Sequence, residues 1–376
     1  MSSLLLMLPK YIWNYIIDYL SHVDISKLSQ ADNSIYAIIN DGNCKRFFIE
    51  NRTNAIAVVK CPNNNMQDFW KHCYHKHIVC VDIPNIFDII SAEQTEALHY
   101  KVFIGPGEHN ISGIDTWYDC SSASSIEIIG SLNDSKTIIC SNTTKISRLN
   151  LVISPLFTIS NIVFNNVGIV LNHRHPNAEF VTYHQPKDLH IKHCVFDTAI
   201  NYIRRALRAS ITVNLISNVI IDNITTTFTD GLKIINIDVS EKQPRCDIID
   251  PICYSITNSV FDCDGCVINT FLMDMPTKII LSGNTLDAPN ILQGYETSNF
   301  DIILKNNTIT NAKYLMYNLT DGISKLSRKI GETPMFNLII DCNIIDNLHR
   351  LAFYSIHTDR IRQCNRTTRN KYINCG

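Results

Sequence analysis

The chain has 376 residues, with 33 Lys+Arg against 35 Asp+Glu and a formal net charge of −2 at pH 7. This length exceeds one average domain, so we expect either two domains or one elongated array. A hydrophobic fraction of 45% excludes a disordered chain. The balanced charge makes a nucleic-acid interface spread over the whole surface improbable.

Two residue types dominate the composition, with 58 Ile and 39 Asn, about a quarter of the chain. β-Branched Ile favours strands, and Asn favours tight turns because it tolerates left-handed backbone conformations. The composition therefore predicts many short strands joined by tight turns. An A/T-rich genome, which enriches the codons of both residues, is an alternative contribution.

No apolar run approaches the ~20 residues of a membrane-spanning helix, and the longest early run covers residues 4–8. That run has no preceding basic residue and is followed by Pro9, so we expect neither a signal peptide nor a membrane span. The 14 Cys are then predicted to be reduced thiols of an intracellular protein, in the cytoplasm or nucleus.

The first segment, residues 1–42, is predicted to be small and all-α. Ile12, Ile16 and Leu20 lie on one stripe of a helix that begins after Pro9, and Trp13 and Ile17 extend that stripe. Asp24 is placed to cap a second short helix that carries Ile25 and Leu28, and Asn33 to cap a third.

This pattern of Leu8-Pro9, Ile16-Ile17-x-Tyr19-Leu20 and Asp24-Ile25-x-Lys27-Leu28 resembles the F-box. Lys10-Tyr11 departs from it, since F-boxes usually carry an acidic residue there. The resemblance implies that these helices bind a Skp-type adaptor protein. The positions it implicates in binding or in forming the module are Leu8, Pro9, Ile12, Ile16, Leu20, Asp24, Ile25 and Leu28.

Residues 43–80 are predicted to form a helical linker segment, because aromatic and basic clusters of the kind that follow F-boxes occur at 44–48 and 68–74. His72, Cys73, His75, His77 and Cys80 end this segment and suggest zinc. A structural zinc site usually needs a second ligand pair about a dozen residues away, and none is evident. Exposed histidines at a helix end are the preferred interpretation.

From residue 81 to 376 one seven-residue pattern recurs: apolar, any, small or polar, Asn or similar, any, apolar, then Asp, Asn or Thr. Its copies begin at Ile159, Ile191, Ile221, Ile256, Leu281, Leu304 and Ile340, with spacings of 32, 30, 35, 25, 23 and 36 residues. Spacings of 23 and 25 suit one turn of a three-sheet solenoid, and the longer ones indicate inserted loops.

The repeat predicts a parallel β-helix, with the two apolar residues pointing inward on either side of a turn and Asn stacked on Asn in hydrogen-bonded ladders. A helix over residues 86–98 would cap one end of the solenoid, and the segment after His349 the other. The succession of helix, Pro-Gly turn and Ile-x-Ile-x-Gly strand resembles the entry of right-handed parallel β-helix domains of the pectin-lyase type.

Such domains include polysaccharide lyases and hydrolases, so a carbohydrate enzyme is an alternative. Thr229-Asp230-Gly231 resembles one element of the polygalacturonase pattern, but the companion motifs are missing. Asp262, Asp287 and Asp346 share one position of the repeat, which favours a structural role. We therefore predict no catalytic residue, metal or cofactor in this chain.

Three other features invite functional interpretations. Cys263 and Cys266 form a C-x-x-C motif, interpreted as buried thiols rather than a redox pair. An inserted loop carries clustered histidines, at positions 173, 175, 184, 190 and 193, which suit partner contacts or simple solvation. The C-terminal stretch from Arg350 is basic and suits either a solvated cap or an acidic partner or nucleic acid.

Together, a small all-α F-box followed by an all-β right-handed parallel β-helix resembles F-box proteins of animals and large DNA viruses. This implies the substrate-recognition subunit of a Skp–cullin–F-box ubiquitin ligase, located in the host cytoplasm if the chain is viral. The Skp adaptor links the chain to a cullin, and the β-helix binds an unidentified protein substrate. A β-helix interaction module without any ligase is the main alternative.

Overall fold

The computed structural model describes most of the repeat region and isolated positions before it. The residues described are 8–9, 12–13, 16, 20, 28, 56–61, 83, 86–87, 90, 99–111, 116–131, 136–141, 147–173, 187–198, 209–214, 216–228, 233–238, 252–273, 277–297, 300–317, 335–353 and 362–375. Thirty strands run through this part of the chain in three sheets.

The first sheet has 11 strands. In order across the sheet they are β1 Ile56–Cys61, β2 His99–Ile104, β5 Ser125–Ile129, β8 Leu156–Ser160, β11 Asp188–Lys192, β14 Asn218–Asp222, β17 Ile252–Thr257, β20 Thr277–Ser282, β23 Phe300–Lys305, β26 Met335–Asp341 and β29 Arg362–Thr368. We call it sheet A.

Sheet B has 10 strands. They are β3 Gly107–Asn110, β6 Thr137–Cys140, β9 Ile162–Asn165, β12 Val195–Thr198, β15 Thr225–Phe228, β18 Val260–Asp262, β21 Thr285–Asp287, β24 Thr308–Thr310, β27 Ile344–Asp346 and β30 Lys371–Ile373. Sheet C has 9 strands, which are β4 Trp117–Asp119, β7 Ser147–Val152, β10 Val167–Asn172, β13 Ala209–Asn214, β16 Lys233–Asp238, β19 Cys266–Met273, β22 Asn290–Thr297, β25 Tyr314–Tyr317 and β28 Arg350–Phe353.

From β2 onward the chain visits sheets A, B and C in turn, and strands pair in parallel with their counterparts one repeat later. This is a solenoid of stacked parallel strands, a β-helix-like fold, as the repeat predicts. The repeat copies align in register, since Ile159 pairs with Ile191 and Phe164 with Phe196. The all-β prediction for this region is therefore confirmed.

The third position of each repeat copy makes the turn from sheet A to sheet B, with a left-handed backbone. Its φ is 59° at Asn161, 51° at Asn258, 55° at Asn306 and 70° at Gly283. Asn and Gly are the residues that adopt this conformation most readily, so the composition bias towards Asn has a direct structural use here.

The fourth position carries the predicted Asn ladder. Asn284, Asn307, Asn343 and Asn370 stack on successive turns, and each Oδ1 accepts the backbone N–H of the ladder residue one turn earlier at 2.9–3.0 Å. Ser259 precedes them in the stack. Buried backbone donors need partners, and the amides supply them where no strand does.

The interior is filled by columns of aliphatic and aromatic side chains. In sheet B the inward column includes Phe164, Phe196, Phe261, Leu286 and Ile309, all buried. Phe164 and Phe196 stack with their ring centroids 4.8 Å apart. Sheet A contributes two such columns, so the centre of the solenoid is a packed apolar core.

One end of the solenoid is covered by helical residues and by β1. Ile83, Ile86, Phe87 and Ile90 are helical and buried, and the Phe87 ring lies 5.6 Å from that of Tyr118. Helical positions 86, 87 and 90 fall within the predicted 86–98 helix. No helix among the described residues is long and apolar enough to cross a membrane.

Strand β1 corrects part of the predicted helical linker over residues 43–80. It pairs antiparallel with β2 from Ile56 to Cys61, so these six residues are a strand. The physical reason is the β-branched run at Ile56, Val58 and Val59, together with the otherwise unpaired edge of β2. The rest of the linker, including the cluster from His72 to Cys80, lies outside the described residues.

The segment after His349 is also more than an end cap, because it provides the last strand of each sheet: β28, β29 and β30. Thr367 and Tyr372 occupy the two apolar positions of the repeat here, which hides the pattern in the sequence. Tyr372 is 49% exposed, whereas Ile345, its register partner one turn earlier, is buried.

Candidate functional site

The N-terminal candidate surface is described at seven positions: Leu8, Pro9, Ile12, Trp13, Ile16, Leu20 and Leu28. Ile12, Trp13, Ile16 and Leu28 are helical. The backbone N–H groups of Ile12 and Trp13 donate to the Pro9 carbonyl at 2.9 and 3.4 Å. The first helix therefore begins at the Leu-Pro pair, since Pro suits the first turn of a helix.

Burial divides these positions into two groups. Trp13 is 1% exposed, whereas Leu8, Ile12, Ile16, Leu20 and Leu28 are only half-buried and Pro9 is exposed. Apolar side chains left partly in water retain area that a partner can bury. Asp24 and Ile25, the other two predicted positions, lie outside the described residues.

The second candidate surface is the outer face of sheet B. On strands β9 to β27 one outward register position carries a row of β-branched residues, which we call the β-branched row: Val163, Val195, Thr225, Val260, Thr285, Thr308 and Ile344. Two residues further along the strands lies the Asp row, which consists of Asp197, Asp262, Asp287 and Asp346. The shared position of Asp262, Asp287 and Asp346 is thus confirmed.

The outer face of sheet A differs because it carries charges of both signs that pair with each other. Arg369 Nη2 lies 2.6 Å from Asp341 Oδ2, and this contact lowers the pKa of the Asp341 carboxyl well below its usual range. Lys101 pairs with Glu127 at 3.1 Å. These exposed pairs satisfy one another and leave little unbalanced charge.

The polar row of sheet C is buried instead. Asn236 and Asn269 lie on adjacent strands, and Asn269 Nδ2 donates to Asn236 Oδ1 at 2.7 Å. Asn214 Nδ2 likewise donates to Asn172 Oδ1. Asn172, Asn236 and Asn269 are buried and are not accessible to a macromolecular partner. The outer face of sheet B, in contrast, combines the exposed apolar residues Val260 and Ile344 with a row of acidic residues.

A buried lysine stabilises the corner where the chain returns from sheet C to sheet A. Lys187 Nζ donates to the carbonyl oxygens of Ile153 and His173, the latter at 2.7 Å. Burial lowers the pKa of Lys187 to about 8, although Asp119 and Cys120 oppose this shift. The Lys187 side chain thereby supplies a hydrogen-bond donor to two carbonyls of this corner.

Lys187 is expected to make stability depend on pH. Its folded-state pKa of about 8 lies below its ordinary value of 10.5, so between these pH values the unfolded chain binds more protons. The free energy of unfolding of the wild type, relative to that of the Lys187→Met variant, should therefore rise by about 2–3 kcal/mol from pH 7 to pH 10. Urea denaturation at both pH values measures it.

The matched control is Lys187→Arg, because guanidinium stays protonated throughout this range and the variant should lack the rise. The difference in free energy of unfolding between wild type and each variant removes the contribution of the other titrating groups. Parallel stability curves for wild type and Lys187→Met would contradict the assignment.

The remaining sequence candidates do not assemble into a reactive centre. Cys263 and Cys266 are buried, and burial raises the pKa of the Cys263 thiol to about 12, which disfavours a redox nucleophile. His190 lies in β11 and His193 in the following turn, where Asn223 Nδ2 donates to His193 Nδ1 at 2.6 Å, whereas His173 follows β10. Asp230, His175 and His184 lie outside the described residues.

Within the described part of the chain, no group of three or more His, Cys, Asp or Glu side chains could hold a metal ion. No protein-family model matches the chain, and comparisons with curated proteins and with solved structures find no match. The geometry therefore defines a class of protein, a β-helix-like solenoid with exposed surfaces. Its function must be proposed from those surfaces.

Two of these features were missed by sequence reasoning. Lys187 carries no pattern that separates it from a surface lysine, since its burial depends on a corner formed by three distant segments. The β-branched row was detectable, because the fifth position of the repeat copies is Val, Thr or Ile throughout. That regularity at an outward position was the available signal.

Proposed function

We propose that this chain is the substrate-recognition subunit of a Skp–cullin–F-box ubiquitin ligase. In this proposal the N-terminal helices bind the Skp adaptor, and the solenoid, taken to be a right-handed β-helix of the pectin-lyase type, binds a protein substrate. Ubiquitin transfer belongs to other subunits, and this chain contributes proximity between substrate and enzyme.

The observation that carries the proposal is that a helix begins at the Leu-Pro pair and leaves apolar side chains partly exposed. A helix begins directly at Pro9, and the apolar residues Leu8, Ile12 and Ile16 are half-buried while Trp13 is buried. A purely structural cap would bury such residues against its own domain. A helix with one buried Trp and partly exposed Leu and Ile side chains suits a surface that a partner completes.

The fold also supports a role of the solenoid in binding the substrate. Its interior is a packed apolar core with an Asn ladder, so the solenoid serves as a rigid scaffold whose outer faces are available for binding. Right-handedness agrees with the strong preference of parallel strand crossovers for that hand. A recognition domain needs such a surface and no catalytic residue of its own.

Direct binding to a eukaryotic Skp adaptor tests the proposal. The Leu8→Ala/Pro9→Ala variant is expected to bind at least about tenfold more weakly, since truncating one buried leucine alone removes about 1.4 kcal/mol or more. Isothermal titration measures the affinity, and circular dichroism verifies that each protein is folded.

The matched control is Val260→Thr/Ile344→Thr, a double substitution of apolar residues on the outer face of sheet B, which should bind the adaptor as wild type does. Absence of adaptor binding by the folded wild-type chain would sink the ligase proposal. The solenoid would then be an interaction module that acts without a ligase.

A further inference from the structure

The outer face of sheet B exposes apolar side chains that the fold itself does not cover. Val260 and Ile344 are each 44% exposed, whereas Phe261 and Ile345, the residues that follow them, are fully buried. Thr285 and Thr308 lie between them in the β-branched row. The row is therefore a ridge of rigid side chains that loses little conformational entropy when a partner covers it.

Asp262, Asp287 and Asp346 of the Asp row lie beside this ridge, and no salt bridge neutralises them among the described residues. Asp262 and Asp287 are register partners on adjacent strands, and strands are ~4.8 Å apart. Like charges placed opposite each other in this way are destabilising. The strands of sheet B from β9 to β27 contain no Lys or Arg, and Lys371 of β30 follows Ile344 at the end of the β-branched row.

The hydrogen-bond donors that contact Asp287 and Asp346 are neutral side-chain amides. Asn311 Nδ2 donates to Asp287 Oδ1 at 2.9 Å, and Asn374 Nδ2 to Asp346 Oδ1 at 3.2 Å. The nearby corner cation, Lys313, lies over the Tyr314 ring at 5.6 Å from its centroid. A partner that brings Lys or Arg would relieve the repulsion along this row, and this complementarity sets the sign of the partner's charge.

The dimensions of the face favour a helix over an extended segment. Asp197 and Asp346 are separated by five strand spacings, or about 24 Å, which matches about 16 residues of α-helix. An extended segment directs one line of side chains at a surface and would follow only one row. A helix presents two adjacent stripes, which suit the β-branched row and the Asp row together.

We propose that the β-branched row and the Asp row together dock a basic amphipathic helix of a protein partner. The helix lies along the solenoid axis, with its apolar stripe on Val260 and Ile344 and its Lys or Arg residues on Asp262 and Asp287. Naming this partner as the ligase substrate rests on the proposed function, whereas the docking itself is independent of it.

The test uses a synthetic helical peptide of about 16 residues, in which an Ile stripe adjoins a Lys stripe, as the probe. Fluorescence anisotropy measures its affinity for the full chain without any adaptor. Asp262→Asn/Asp287→Asn is expected to weaken binding roughly 3- to 10-fold, because two surface ion pairs are lost without a change in side-chain size.

The matched control removes the same charge from another face. Asp188→Asn/Asp301→Asn lies on the outer face of sheet A and should bind the peptide as wild type does. Val260→Thr/Ile344→Thr should weaken binding about 3-fold or more through lost apolar contact, since Thr already occupies other positions of the row. Raising the salt concentration should weaken wild-type binding.

Three results would overturn the proposal: no binding by the wild type, equal binding of a peptide with Glu in place of Lys, or an equal loss in the sheet A control. Adaptor affinity of the same variants separates this inference from the proposed function. Peptide binding without adaptor binding refutes only the ligase, and adaptor binding without peptide binding refutes only the docking surface.

Discussion

The Asn307→Ala variant is expected to lose about 4 kcal/mol of its free energy of unfolding, measured by urea denaturation. Asn307 lies in the middle of the Asn ladder and is 1% exposed. Its Oδ1 accepts from the backbone N–H and the side chain of Asn284, both at 3.0 Å. Its Nδ2 donates to the Leu281 carbonyl at 2.9 Å and to Asn343 Oδ1 at 3.0 Å.

The size of this effect follows from what alanine leaves behind. The Asn284 N–H and the Leu281 carbonyl would both lose a partner inside the solenoid, where water does not replace it. Each buried backbone group without a partner costs about 1–3 kcal/mol. The loss of contact to Asn343 adds to this, because bonds within a ladder strengthen one another.

The neighbouring residue provides the matched control. Asn306 adopts a left-handed backbone with φ of 55° and is exposed, and Asn306→Gly preserves that conformation. We expect a change of less than about 1 kcal/mol there. If the two substitutions destabilise the chain equally, the ladder contributes no more than any turn residue, and the interpretation of the repeat's fourth position fails.

The Phe196→Ala variant is expected to be destabilised by about 4 kcal/mol, within the range measured for buried aromatic residues. Phe196 is 1% exposed and stacks on Phe164 at 4.8 Å with an interplanar angle of 10°. Truncation removes the stacking and leaves a cavity that neighbouring turns cannot fill. The strands on either side are held in register by parallel hydrogen bonding.

Val195, one residue earlier in the same strand, is the control for Phe196. It points outward and is half-buried, so Val195→Ala should cost about 1 kcal/mol or less. Urea denaturation measures the free energy of unfolding of both variants. Amide hydrogen exchange tests whether protection falls first in β9 and β12. A loss for Val195→Ala as large as that for Phe196→Ala would mean that the inward and outward faces are assigned incorrectly.

The stacked-strand architecture was predictable because each repeat copy contains the residues that determine its strands and its turn. In Ile256-Thr-Asn-Ser-Val-Phe-Asp, the spacing of the apolar residues determines which side chains point inward, and the Asn between them allows a sharp turn. Both are properties of a few adjacent residues. Repetition then requires Ile256 to stack on Leu281 and Phe261 on Leu286, which the register confirms.

Predictions were wrong or incomplete where the chain departs from the repeat. Residues 56–61 fall in the predicted helical linker but form a strand, because nothing in the local sequence reveals that the edge of β2 lies beside them. The last turn of the solenoid falls in the predicted end cap, since Thr367 and Tyr372 replace the usual apolar residues of the repeat. Strand pairing with the preceding turn outweighs the weak local pattern in both places.

In the N-terminal candidate surface, too, the local features could be predicted, whereas the contacts with a partner could not be tested. The Leu8-Pro9 motif and its apolar stripe are local features, so a helix start at Pro9 could be foreseen and is present. The adaptor contacts of Leu8, Pro9, Ile12, Ile16, Leu20, Asp24, Ile25 and Leu28 stay predictions. A partner surface is defined only when the partner is present.

The sequence by itself determined the strand-turn-strand unit, its repetition and the presence of an Asp at one position of several copies. Only the tertiary structure decided that Val260 and Ile344 stay exposed beside the Asp row, and that Lys187 is buried with its Nζ donating to two carbonyls. The reason is physical: backbone preferences act between near neighbours, whereas burial and charge proximity depend on which distant residues the stacking of turns brings together.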